Sequence, residues 1–79
     1  MQGYVIYLNK GKESGYFNWF AQTLVHLRQA SVFENQTDLM RQVDFFENNK
    51  LEERIDNLRV FKIKIGKNNG RRTVLYLVQ

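Results

Sequence analysis

The chain has 79 residues, 43% of them hydrophobic, 25% charged and 14% aromatic, with no Pro and no Cys. This is enough for one small domain over residues 1–79, and six Phe, four Tyr and one Trp argue against wholesale disorder. Zero cysteines exclude a disulfide framework, a thiolate metal site and a cysteine nucleophile together. No apolar run approaches the ~20 residues that span a bilayer, and 1–8 lacks the basic head and cleavage site of a signal peptide. The expectation is a cytoplasmic protein without membrane contact.

The net charge of +4 is unevenly placed along the chain. Residues 1–58 hold six basic side chains against eight acidic ones, whereas Arg59, Lys62, Lys64, Lys67, Arg71 and Arg72 follow with no carboxylate. Such asymmetry points to a phosphate-rich partner or an acidic protein, against the plainer reading of a solvated strand edge that resists aggregation.

Tyr4 to Leu8 is β-branched and aromatic and is closed by Asn9, Lys10, Gly11 and Lys12, so it reads as a buried first strand and a turn. Phe17, Phe20, Ala21, Leu24 and Leu27 fall at helical spacing and predict an amphipathic helix over 16–30. Tyr16 and Trp19 lie off its stripe; core packing is favoured for them over an aromatic recognition platform. His26 is the only histidine and, without a sequence-near Ser or carboxylate, reads as a packing or surface residue rather than a catalytic base. A second helix is predicted after the capping cluster Asn35 to Thr37, with Leu39, Met40, Val43 and Phe46 as its stripe and Asn48 and Asn49 as its stop. Leu51, Ile55 and Leu58 suggest a further helical turn across 51–56.

Period-two alternation from Leu58 to Ile65 predicts a strand with Phe61, Ile63 and Ile65 on the core face and Val60, Lys62 and Lys64 on the other. A final strand over Arg71 to Val78 follows the five-residue connection Gly66 to Gly70. The fold class is α+β: a small antiparallel sheet in the order β-α-α-β-β, with two helices packed on one face. A five-residue loop pairs Ile65 with Arg71, Ile63 with Thr73 and Phe61 with Leu75. The solvent face then gathers Lys62, Lys64, Arg72 and Tyr76, with Lys64 directly across from Arg72. That like-charge pair costs stability unless an anion or solvent compensates it. Such a patch can grip a phosphate backbone, and a lysine crowded by other cations can act as a general base.

The motifs of nucleotide hydrolases, dinucleotide-binding folds, zinc peptidases and serine hydrolases are missing. Glu52, Glu53 and Asp56 form an acidic knot, but with Arg54 inside it a solvated turn is favoured over a cation site. No metal or cofactor is expected.

The stretches NLRVFKIKIG (57–66) and RRTVLYLV (71–78) resemble the central hairpin of the RelE/ParE toxin superfamily, particularly its HigB-like, phage-derived branch. YVIYLNKGKES with the aromatic stretch after it resembles that family's opening strand and first helix, and 39–49 its second. The resemblance implies a RelE-like fold and a toxin-like, RNA-binding domain related to the ribosome-dependent mRNA endoribonucleases of toxin–antitoxin systems. Such cleavage needs no metal and uses cationic side chains and a tyrosine. Lys62 and Lys64 match the family's paired strand lysines and Tyr76 its tyrosine; with Arg72 they are the candidate catalytic set. Arg59, Lys62, Lys64, Lys67, Arg71 and Arg72 are the candidate nucleic-acid contacts. Two features depart from the pattern. The family's arginine column falls on Thr73, one place after Arg72, and the chain reaches Gln79 where the family continues into another strand, which implies a form shortened at its carboxyl end.

Three functions follow as expectations. One is a ribonuclease toxin acting on ribosome-bound mRNA and neutralised by a small antitoxin. Another is a catalytically inactive module holding nucleic acid or an acidic host protein through the basic hairpin. The third is an assembly role, in which two copies pair through a sheet edge.

Overall fold

The computed structural model describes residues 2–21, 23–68 and 72–77. Strand β1 (Gln2–Lys10) contains the predicted Tyr4–Leu8 segment and buries Val5, Ile6 and Leu8. It turns through Gly11 and Lys12 into β2 (Glu13–Tyr16), pairing Lys10 with Glu13 and Tyr7 with Tyr16.

The helix predicted over 16–30 does not form. Tyr16 is held as strand on both sides, by Tyr7 in the ladder and by Val25, with which it exchanges N–H···O bonds of 2.9 and 3.0 Å. Beyond it, Asn18 Oδ1 accepts the N–H groups of Phe20 at 2.8 Å and Ala21 at 3.0 Å, and Ser31 Oγ accepts that of Trp19 at 2.7 Å. Side-chain acceptors of this kind offer the backbone a local alternative to the helical ladder. Only Leu27–Gln29 winds, as a single 3-10 turn. The predicted stripe is scattered: Phe17 and Leu24 reach the core, while Phe20 is 91% exposed.

The next helix, α1 (Gln36–Asn48), forms as expected. Asn35 caps it by accepting the Asp38 N–H at 2.8 Å, and Leu39, Val43 and Phe46 pack inward. Asn49 ends it in an ordinary negative-φ conformation, with its side-chain amide donating to the Phe45 carbonyl at 2.7 Å, rather than in the left-handed one. A short α2 (Lys50–Glu53) follows, closed by Arg54 in the left-handed region at φ 57°. It is shorter than the predicted 51–56, and its spacing marks no common face: Ile55 is buried, whereas Leu51 is 90% exposed.

Strands β3 (Asn57–Asn68) and β4 (Arg72–Leu77) complete an antiparallel sheet of order β2-β1-β3-β4. The α+β class stands, with a hairpin and a 3-10 turn in place of the first helix. The hairpin register differs from the expected one. Ile63 pairs with Leu77, Ile65 with Leu75 and Lys64 with Tyr76, leaving Asn69 to Arg71 as the connection, outside the described residues. The shift keeps the alternation, sets aliphatic residues across from aliphatic ones and separates two like charges that the shorter pairing would have opposed.

Both sheet faces are covered in part. Register places Tyr4, Ile6 and Leu8 on one face with Lys62, Val60 and Leu58, and this is the face under α1, where Ile6 and Leu8 meet Leu39 and Phe46. The opposite face carries the fully buried Val5 and Ile63 and the edge-on rings of Tyr7, Tyr16 and Phe61. The segment around the 3-10 turn closes on β2 and β4 and returns through Phe33, which pairs with Tyr4.

Candidate nucleic-acid interface

Lys62 and Lys64 are two residues apart on β3, so they share a sheet face roughly 7 Å apart along the strand. Both are exposed. They do not lie on a face free of helices, as alternation alone suggested: they occupy the far end of the α1 face, directly opposite Tyr4 and Gln2 of β1. The 13-residue α1 covers Ile6, Leu8 and Leu58 but leaves Val60 40% exposed and the lysines beyond it in water. The predicted core stripe of β3 is instead buried on the opposite face, where Ile63 has no exposed surface.

The remaining predicted residues divide. Tyr76 is directly across from Lys64 by register, so this candidate pair is adjacent along the ladder. Arg72 is not opposite Lys64; its partner is Asn68, four residues farther along β3, or roughly 13 Å along the strand. The crowding of Lys64 by Arg72 that favoured a general base is therefore not built here. Arg59 is exposed on the other face, opposite Tyr7, and position 67, paired with Thr73, falls in the same alternation as Arg59. Arg71 lies outside the described residues.

The electrostatics follow from what surrounds the lysines. Among the described residues the ion pairs are Lys10–Glu53 at 3.6 Å and Lys50–Glu47 at 3.0 Å, neither involving Lys62 or Lys64. The acidic knot is dispersed: Glu53 faces Lys10, and Asp56 Oδ2 accepts the Gly11 N–H at 2.8 Å. No group of three or more His, Asp or Glu suited to a metal ion is gathered among the described residues. His26 is exposed and its carbonyl accepts the Gln29 N–H at 2.9 Å.

The arrangement can present two ammonium groups to successive phosphates, with Tyr4, half-buried against the core, directly across the ladder from Lys62. Tyr4 and Gln2 were not singled out by sequence reasoning. The available signal was alternation along β1, which assigns Tyr4 to one face but not to a lysine across the ladder. No helix of the described residues is long and apolar enough to cross a membrane. Comparison with protein-family models, with curated proteins and with solved structures found no match.

Proposed function

We propose that the uncovered end of the α1 face holds RNA, in a toxin-like domain of RelE/HigB character. The observation that carries this reading is the pair of exposed lysines, in none of the ion pairs among the described residues, with Tyr4 across the ladder from Lys62. Phosphate contacts supply affinity to any nucleic acid, and an aromatic ring beside them favours unpaired bases, which a duplex keeps stacked away. The resemblance of 57–66 and 71–78 to the toxin hairpin supports RNA over DNA.

A second reading, cleavage of ribosome-bound mRNA without a metal, is favoured by the register that sets Tyr76 against Lys64. The displacement of Arg72 counts against the full four-residue set, so holding RNA is the primary proposal and cleavage the extension. A cognate antitoxin or another acidic protein would compete for the same lysines.

The test compares RNA binding and cleavage, with and without ribosomes, for the natural chain and for Lys62→Ala combined with Lys64→Ala. Binding is expected to weaken steeply with salt, and the double variant to lower the slope of log affinity against log salt by about 1.4, at about 0.7 per single-strand phosphate contact. Salt-insensitive binding, or none in either protein, would overturn the proposal and direct attention to a protein partner.

A further inference from the structure

The chain leaves several large apolar side chains in water, among them Trp19 at 64% and Phe45 at 51% exposure. These two line one trough along the flank of α1. It consists of two adjoining cavities of about 470 and 420 Å³ that share Trp19, Arg41 and Gln42 as a common wall. Asp38, Arg41, Gln42 and Phe45 supply its helical side at i, i+3, i+4 and i+7, a run of about 10 Å along the axis. Its floor is aromatic: Phe17 stacks on Phe33 at 6.3 Å and meets Phe46 edge-on at 5.1 Å and Trp19 at 6.4 Å.

The rim is charged in a way that identifies an occupant. Glu34 and Asp38 stand at one end and belong to none of the ion pairs among the described residues; Arg41 is in the middle; Glu53, at the other end, is already faced by Lys10. Two carboxylates outside the ion pairs of the described residues thus stand at one end of an apolar trough, Asp38 also accepting from the Asn35 amide at 2.9 Å, on a protein whose net charge is +4. We propose that this trough docks an amphipathic helix of a partner protein, with apolar anchors on Trp19 and Phe45 and a Lys or Arg cluster over Glu34 and Asp38. A helix laid beside α1 matches the trough's direction, and an exposed tryptophan that becomes buried on binding within a polar rim is the usual form of an energetic centre in an interface. The surface shares no residue with Lys62 and Lys64, so it does not depend on the RNA reading.

Trp19 is the only tryptophan, so its emission reports this site alone. The probes are two synthetic helical peptides of about four turns with leucines at i, i+3, i+4 and i+7, one carrying lysines at one end and the other glutamates. The lysine peptide is expected to shift the emission saturably, and the glutamate peptide to bind about tenfold more weakly or worse. Glu34→Gln with Asp38→Asn should abolish that preference, and Phe45→Asp should abolish binding, with circular dichroism verifying that each variant is folded. Because the whole protein is cationic, general attraction would give the opposite preference. Equal binding of the two peptides, or no binding, would overturn the proposal. So would an emission shift that depends on protein concentration alone, indicating a second copy, or one produced by phosphatidylcholine vesicles in place of peptide.

Discussion

Arg54 sits at φ 57° and ψ 39°, a left-handed conformation in which a side chain crowds its own backbone at a cost of about 1–2 kcal/mol. It is held there because its N–H closes α2 on the carbonyls of Leu51 and Lys50 while the chain turns to bury Ile55. Arg54→Gly removes the strain but adds freedom to the unfolded chain, so a net stabilisation of about 0.5–1 kcal/mol is expected in urea unfolding. Gly3 presents the opposite case. A Cβ there would stand 2.6 Å from Val32 Cγ1 and 3.2 Å from the Phe33 carbonyl oxygen, because Phe33 pairs closely with Tyr4 as the chain returns to the sheet. Gly3→Ala should therefore destabilise by about 1–3 kcal/mol, read as a lower urea midpoint at unchanged slope.

At the scale of elements, α1 and the segment before it show why one helix forms and the other does not. In both, apolar residues recur at helical spacing. Asn35 works as a cap: it accepts the Asp38 N–H and donates to the Asp38 carboxylate at 2.9 Å, so the first turn is closed by its own sequence. Asn18 uses the same side chain to accept two successive N–H groups in a turn, with no helix after it. Asn35→Ala should cost about 1 kcal/mol, with a corresponding loss of thermal stability. The β3–β4 hairpin was legible as a hairpin from alternation on each side of Gly66 to Gly70, but its register was not. The two registers differ by a four-residue displacement of one strand along the other, which preserves every face, so pattern alone cannot separate them. Pairing Ile63 and Ile65 with Leu77 and Leu75 decides between them.

Across the whole molecule, the charge asymmetry of the sequence becomes a spatial one. Lys62 and Lys64 stand at the open end of the sheet face, and Glu34 and Asp38 at the rim of the aromatic trough beside α1. The two surfaces share no residue, so they should act independently. Phe45→Asp is expected to leave the salt dependence of RNA binding unchanged, and the lysine double variant to leave the response of Trp19 to the lysine-ended peptide unchanged. Parallel titrations of both variants check this. The amino-acid order by itself determined the α+β class, the first strand, the capped helix α1 and the basic hairpin, because each is written in local periodicity and capping. Only the tertiary structure decided that Tyr16 continues a strand, that the lysines share a face with α1, that Tyr76 rather than Arg72 opposes Lys64, and that Trp19 is exposed. Each of these depends on which distant segment lies alongside, and one strand's alternation says which residues share a face but not what covers it.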